Sequence, residues 1–245
     1  MDKTPVTEST NSPRAFTRLD LLASLAAGAL FVAIIVPALA NSNSRSDRVA
    51  CLGNLRQIGI AYTHFGLEHD DLAPWRVSTR DGGNADYAGG ISGLPSRNLS
   101  FVQFSVLSNS LDSPRYLADP GDRHPGLAPA RFWNQQANGG LYNISYRNRA
   151  ISYFIGLSGS FRAPRHILAG DRNVATEGFA TSCSISPASV LRSDFASWTN
   201  DVHGLSGNLL FFDGSVEQTT TPRLREALWE TQDFSVRNVC SLFPQ

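Results

Sequence analysis

The stretch that decides the fold is residues 21–40, LLASLAAGALFVAIIVPALA, which contains no charged residue. As an α-helix at about 1.5 Å per residue, this stretch spans roughly 30 Å, which matches the hydrocarbon core of a bilayer. A buried helix of a soluble domain normally carries a polar stripe, and this stretch offers only Ser24. The sequence therefore predicts a membrane-spanning helix near the N-terminus.

The same stretch also has features of a secretory signal peptide. Ala38-Leu39-Ala40 has the small-x-small pattern of a cleavage site, and three basic residues precede the apolar core: Lys3, Arg14 and Arg18. The apolar core, residues 21–36, is slightly long for a signal peptide. A membrane anchor is therefore favoured over a cleaved signal peptide. An anchor that no peptidase processes is a further alternative. Basic residues lie on both sides, so charge does not set the orientation.

The residues just before the apolar stretch carry a family resemblance. Residues 14–22, RAFTRLDLL, resemble the class III signal of type IV pilins and pseudopilins, in which a basic leader precedes a phenylalanine and an acidic residue follows shortly after. The resemblance implies that a prepilin peptidase cuts between Ala15 and Phe16 and methylates Phe16. It also implies that Asp20 pairs with the N-terminal amine of a neighbouring subunit during assembly. Alanine stands before the cut where the family has glycine.

A second helical pattern follows the apolar stretch. Apolar residues recur three and four positions apart, which predicts an amphipathic helix over residues 41–67; these are Leu52, Leu55, Ile58, Tyr62 and Phe65. Residues 51–59, CLGNLRQIG, resemble the C-x-x-N-L-R-Q-I-G stretch of a pseudopilin-like family of planctomycete and verrucomicrobial bacteria. In pilins, the second half of the first helix packs against a β-sheet, so the resemblance implies the same packing here.

A second motif of that family lies near the C-terminus. In HGLSGNLLFFDGSV, nine residues separate His203 from Asp213-Gly214, as in the H-X9-DG signature. An apolar run and a polar run flank Asp213-Gly214, which predicts a β-hairpin with a two-residue type I′ turn. His203 either bonds to this hairpin or ligates a metal together with Asp213, and the spacing favours the structural role.

The remaining patterns predict a small head. Residues 151–155 and 165–169 are predicted strands, 221–229 a short helix, 236–243 a last strand, and Asp119-Pro120-Gly121-Asp122 a turn. The fold class is α+β and, by resemblance, pilin-like, with a long N-terminal helix on a mostly antiparallel sheet. The predicted divisions are a leader at 1–15, a transmembrane helix half at 16–40, its amphipathic continuation at 41–67 and a globular head at 68–245.

The sequence predicts no metal centre. Cys51, Cys183 and Cys240 show neither CxxC pairing nor zinc-finger spacing. A disulfide between Cys183 and Cys240 is compatible with an oxidising compartment. Relatives often have a cysteine where Asp119 stands, so the disulfide of that family is absent. Some major pseudopilins bind calcium through C-terminal carboxylates, which leaves calcium open here through four aspartates without EF-hand spacing: Asp171, Asp194, Asp201 and Asp213.

Composition and motifs favour a structural function. Basic and acidic residues number 21 each and form no basic stripe, so a nucleic-acid partner is not expected. The sequence has no G-x-S-x-G elbow, Walker loop or dinucleotide fingerprint, so no enzyme is predicted. The resemblance implies a pseudopilin-like subunit of a type II secretion or type IV pilus-like apparatus. It would sit in the bacterial inner membrane with a cytoplasmic N-terminus and a periplasmic head, its partners being prepilin peptidase, other pilin or pseudopilin subunits and lipid. The alternative is an anchored or secreted binding domain without a filament role.

Overall fold

A computed structural model of the chain describes residues 18–88, 100–175, 189–232 and 239–244, without the side chains of residues 37–44. The chain divides into two compact units, Met1–Asn43 and Ser44–Gln245. Helix α1 contributes residues to both units, and the other helices and strands belong to the second. The α-helices are α1 (Arg18–Glu68), α2 (Ala85–Ala88), α3 (Ser100–Ser105) and α4 (Thr221–Thr231). The strands are β1 (Tyr153–Gly156), β2 (Ile167–Asp171), β3 (Val174–Ala175), β4 (Ser189–Leu191), β5 (Ser197–Trp198), β6 (Ser206–Phe211), β7 (Val216–Thr220) and β8 (Val239–Leu242).

The N-terminal unit contains an apolar helical segment with exposed side chains. Arg18–Val36 comprises 19 residues with a mean hydropathy of 2.4, and none of these residues is buried within the protein. Its large side chains, from Leu19 to Val36, are all exposed. Exposed apolar surface of this size is costly in water. The segment is long and apolar enough to cross a membrane, and a signal sequence near the N-terminus has the same properties.

An antiparallel sheet organises the second unit. Its six strands lie in the order β4-β8-β1-β2-β6-β7, and every paired neighbour is antiparallel. Strand β7 therefore ends the order on one side, and β3 pairs with β5 in a separate two-stranded sheet. The combination of helices with an antiparallel sheet confirms the predicted α+β class.

The C-terminal part of α1 packs against the sheet. Four of the five residues on the predicted apolar face are buried, and Leu52 is half-buried. Leu55, Ile58 and Tyr62 join one core cluster with strand residues that alternate along β1 and β6, which include Tyr153, Ile155 and Leu210. Because successive strand side chains point to opposite faces, this cluster occupies one face of the sheet.

Helix α4 covers the opposite face. Leu224, Ala227 and Leu228 of α4 share a second core cluster with Phe154 of β1 and with neighbouring strands. The predicted helix over residues 221–229 is therefore confirmed, with two further residues at its end and Pro222 in its first turn. Both faces of the sheet are buried, so its central strands are almost wholly apolar.

Two predicted strands are displaced along the sequence. The predicted ranges 151–155 and 165–169 correspond to β1 and β2, and each strand begins two residues later than predicted. The reason is that the preceding residues use their backbone groups elsewhere: Ser152 donates to the Leu117 carbonyl, and His166 donates to the Ala163 carbonyl in a turn. The last strand was predicted over residues 236–243. Strand β8 covers Val239–Leu242 of that range, and residues 236–238 lie outside the described part of the chain.

The β6–β7 hairpin forms as predicted, but the prediction of a type I′ turn was wrong. Gly214 has a φ of +77°, whereas Asp213 does not have a positive φ. The Gly214 amide donates to Phe211, and the Phe211 amide donates to Ser215, which describes a type I turn followed by a left-handed glycine. Asp213 favours this turn because its carboxylate accepts from the Ser215 amide at 2.8 Å.

Two isoleucines of α1 test the packing of this helix on the sheet. Ile58 is fully buried and Ile60 is 45% exposed. We expect Ile58→Ala to lower the free energy of unfolding by about 2–5 kcal/mol, and Ile60→Ala by less than about 1 kcal/mol. Chemical unfolding of the full chain in detergent, followed by tryptophan fluorescence, measures both. Equal losses for the two variants would contradict this packing.

Candidate metal centre

Four titratable side chains from distant parts of the chain meet inside the second unit. Cys51 lies on α1, Asp119 follows a short 3-10 helix, Asp171 ends β2, and His203 lies in the loop before β6. All four are buried, with exposed fractions of 0% to 4%. One sulfur, nitrogen or oxygen atom from each lies within 4.8 Å of those of the other three. We call these four residues the buried cluster.

Hydrogen bonds connect the members of the buried cluster in pairs. His203 Nε2 lies 2.8 Å from Asp119 Oδ2 and 3.6 Å from Asp171 Oδ2. Cys51 Sγ donates to Asp171 Oδ1 at 3.1 Å. The imidazole therefore contacts both carboxylates, and the thiol contacts one of them.

Neighbouring groups hold the buried cluster in place. Asn208 Nδ2 donates to Cys51 Sγ at 3.1 Å and to Asp171 Oδ2 at 3.0 Å, and the Asn208 amide donates to Asp171 Oδ2 at 2.7 Å. The Tyr153 hydroxyl donates to Cys51 Sγ at 3.6 Å. Because Asn208 belongs to β6 and Tyr153 to β1, rigid sheet residues position the sulfur and one carboxylate.

The turn at Asp119 and the loop at His203 fit closely together. Asp119 Oδ1 accepts from the Gly121 amide at 2.7 Å, which is an Asx turn. A Cβ atom at Gly121 would lie 3.1 Å from His203 Cε1, so glycine allows the imidazole to approach. The His203 carbonyl accepts from Arg48 Nη2 at 2.5 Å and from the Ser206 hydroxyl at 2.8 Å. These bonds fix the backbone that carries the imidazole.

Burial dominates the electrostatics of the buried cluster. Burial and the nearby charge of Asp119 raise the pKa of Asp171 from 3.8 to about 7. Burial alone would lower the pKa of His203, but its bond to Asp119 and the charges of Asp171 and Asp119 raise it above its usual 6.5. Burial, followed by the charges of Asp171 and Asp119, raises the pKa of the Cys51 thiol. In the absence of a cation, Cys51 is a protonated, buried thiol and a poor nucleophile.

The pairing of His203 with Asp213 as metal ligands, which was the less favoured prediction, was wrong. The two residues lie beyond opposite ends of β6, whose six residues span roughly 20 Å. His203 contacts Asp119 and Asp171, whereas Asp213 bonds to Ser215 and lies 3.9 Å from Arg165 Nη1. The H-X9-DG spacing therefore places one residue in the buried cluster and the other, with Gly214, in the hairpin turn.

The four aspartates considered for calcium do not share one site. Asp171 belongs to the buried cluster, and Asp213 lies in the hairpin turn. Asp201 accepts from the Thr199 hydroxyl at 2.7 Å, and Asp194 pairs with Arg192 at 2.9 Å. A cavity of about 370 Å³ includes Asp201 in its lining, together with Asp122 and Arg172, and no member of the buried cluster lines it.

Several predicted residues lie outside the described part of the chain. Ala15 and Phe16, the predicted cleavage site with its methylated residue, are among them, as is Cys183 of the predicted Cys183–Cys240 disulfide. The cleavage site, the methylation and the disulfide stay predictions. Asp20 lies in the first turn of α1, and its role in assembly also stays a prediction.

The sequence did not predict the buried cluster, because its successive members are 32 to 68 residues apart along the chain and share no motif spacing. Asp119 was predicted as a turn residue, and Cys51 was considered in the CLGNLRQIG stretch and among the three cysteines, but neither was predicted as a metal ligand. Comparison with protein-family models, curated proteins and solved structures yields no match for this chain. The interpretation of the buried cluster therefore rests on its own geometry.

The pKa directions predict how pH changes the stability of the full chain after metal ions are removed with a chelator. The folded state binds the Asp171 proton more tightly than the unfolded state does. The contribution of this proton to the free energy of unfolding is therefore complete below pH 3.8 and is lost as pH rises through about 7. Because the pKa of His203 is also raised, its contribution to the free energy of unfolding is likewise lost as pH rises above 6.5. We therefore expect these two groups to lower the free energy of unfolding between about pH 4 and pH 8. His166 contributes in the opposite direction, because burial lowers its pKa.

Substitution at Asp171 tests this pH dependence. Cys51, Asp119, His203 and Tyr153 surround Asp171, and only groups that titrate in this range contribute to the slope. Asp171→Asn removes one titration at constant size and should reduce the slope, measured as the urea midpoint at each pH. Asp112→Asn, at an exposed aspartate, is the matched control and should keep it. A slope that is the same in all three proteins would refute the assignment.

Proposed function

We propose that this chain is a pseudopilin-like structural subunit of a type II secretion or type IV pilus-like apparatus, anchored in the bacterial inner membrane. One observation carries the proposal: α1 combines a lipid-compatible segment, Arg18–Val36, with a C-terminal part that packs on an antiparallel sheet. An anchor alone requires only the first part. A pilin-like subunit uses both parts of the same helix.

Three sequence features support this proposal independently of one another. The RAFTRLDLL stretch resembles a prepilin signal, the CLGNLRQIG stretch lies on α1, and the H-X9-DG residues form the β6–β7 hairpin and its preceding loop. Their order along the chain is that of the pseudopilin-like family. The proposed partners are therefore a prepilin peptidase, other subunits of the same class and membrane lipid.

The buried cluster supports a structural rather than a catalytic role. Cys51 is fully buried with a raised pKa, and His203 is 4% exposed. A nucleophile must reach its substrate, and activated cysteines are partly exposed and carry a lowered pKa. We therefore propose no enzymatic activity for these residues.

Processing of the N-terminus tests the proposal directly. Mass spectrometry of the chain purified from bacterial membranes, with and without a co-expressed prepilin peptidase, should show a mature N-terminus at methylated Phe16 only when the peptidase is present. A chain beginning at Asn41 would indicate ordinary secretion, and an intact Met1 in both samples would indicate a plain anchor. Either result would refute the processed pseudopilin.

Assembly is tested at Asp20. By resemblance to pilins, the proposed partner of the Asp20 carboxylate in the assembly is the N-terminal amine of a neighbouring subunit. We expect Asp20→Asn to reduce cross-linked oligomers in membranes at least about tenfold, a loss of about 1.4 kcal/mol, while the second unit stays protease-resistant. Asp112→Asn removes an exposed carboxylate from the second unit and should leave the oligomers unchanged. Undiminished oligomers in Asp20→Asn would rule out an assembly role for this carboxylate.

A further inference from the structure

The buried cluster has a feature that the proposed structural role does not require. We infer that Cys51, Asp119, Asp171 and His203 bind one zinc ion that joins four segments of the second unit. This site is independent of whether the chain assembles into a filament. It would be a structural metal centre, because all four ligands come from the protein and are buried.

The donor atoms already lie near the spacing that tetrahedral zinc requires. Zinc–nitrogen, –oxygen and –sulfur bonds of about 2.0–2.3 Å place neighbouring ligand atoms about 3.3–3.6 Å apart. His203 Nε2 lies 2.8 Å from Asp119 Oδ2 and 3.6 Å from Asp171 Oδ2, and Cys51 Sγ lies 3.1 Å from Asp171 Oδ1. With one donor atom taken from each residue, every pair lies within 4.8 Å. Shifts of less than about 1.5 Å therefore suffice to place the four atoms around one ion.

The charges of the buried cluster favour a bound cation. Asp119 and Asp171 are both inaccessible to water, and in the described part of the chain their ion pairs are with His203 alone. One imidazole cannot neutralise two buried carboxylates. The nearby arginines serve other groups, because Arg48 donates to the His203 carbonyl and Arg172 pairs with Asp122. A divalent ion would offset most of the negative charge of the two carboxylates and the Cys51 thiolate.

The groups around the buried cluster resemble the outer shell of a metal site. Cys51 Sγ accepts from both Asn208 Nδ2 and the Tyr153 hydroxyl, which suits a thiolate better than a thiol. The Gly121 and Asn208 amides each donate to one carboxylate, Asp119 and Asp171 respectively. Such bonds orient metal ligands and raise affinity.

Asn208 is committed to the buried cluster through its side-chain nitrogen. The residue is fully buried, its Nδ2 donates to Cys51 Sγ and Asp171 Oδ2, and its Oδ1 has no hydrogen-bond partner. A half-turn of the amide would place the oxygen against these two ligand atoms and break both bonds, so the bonding fixes the nitrogen toward the site. The side chain therefore has the position of an outer-shell residue that orients two ligands.

The donor set selects zinc over calcium or magnesium. Calcium takes six to eight oxygen ligands, and magnesium prefers octahedral oxygen and keeps several waters. A sulfur, an imidazole nitrogen and two carboxylate oxygens in a dry interior match four-coordinate zinc instead. The chemical class is therefore a borderline-soft transition-metal ion with a closed coordination shell.

The test measures metal content and coordination in the full chain purified in detergent. After chelation and reconstitution with Zn²⁺ alone, elemental analysis should give about one zinc per chain. Co²⁺ alone should give an intense tetrahedral visible spectrum and a sulfur-to-cobalt charge-transfer band in the near ultraviolet. Absence of that band, or fewer than about 0.1 zinc per chain, would overturn the inference without any variant.

Variants identify the ligands. His203→Asn should reduce bound zinc at least about tenfold, whereas His64→Asn, at an exposed histidine of α1, should keep about one ion per chain. Cys51→Ser should abolish the charge-transfer band, and a band that persists in this variant would assign the metal to another cysteine and refute the site. Asn208→Ala leaves all four ligands in place and should weaken zinc affinity about 10- to 100-fold in a competition titration with a chromophoric chelator. Unchanged affinity in that variant would contradict the role of the outer shell.

Discussion

The packing of residues 51–65 of α1 against the sheet is the contact on which the rest of the second unit depends. Leu55, Ile58 and Tyr62 lose all contact with water there, and their burial stabilises the helix and the central strands together. Cys51 belongs to the same apolar face, one turn before Leu55. The helix therefore delivers a thiol to the point where β2 ends, and the position of the buried cluster follows from ordinary hydrophobic packing.

Polar groups in such a core need mutual compensation. Four titratable side chains meet where β2, β6, α1 and two loops converge, and Asn208 and Tyr153 satisfy part of their hydrogen bonding. These contacts explain how a domain whose sheet is covered by apolar residues on both faces can also bury two carboxylates. The cost of burying them is offset by imidazole, by backbone amides and, under the zinc proposal, by a metal ion.

The sequence predicted features that depend on local periodicity and missed those that depend on tertiary contacts. The three- and four-residue spacing identified the buried face of α1, and Asp213-Gly214 located the hairpin. The predicted turn type was wrong, because the Asp-Gly dipeptide is equally compatible with a type I turn that is followed by a left-handed glycine. Asp119 and Asp171 are neighbours because the Ser152 amide bonds to the Leu117 carbonyl and β1 pairs with β2, and no spacing along the chain reveals these contacts.

Strand β7, at one end of the sheet order, carries Glu217, which pairs with Arg165 at 2.7 Å and with Arg223 at 3.1 Å. Charged side chains along an outer strand discourage another chain from extending the sheet. Glu217 and its two arginines thus place paired charges beside the backbone of this outer strand, so a second chain that added a strand there would have to strip water from them.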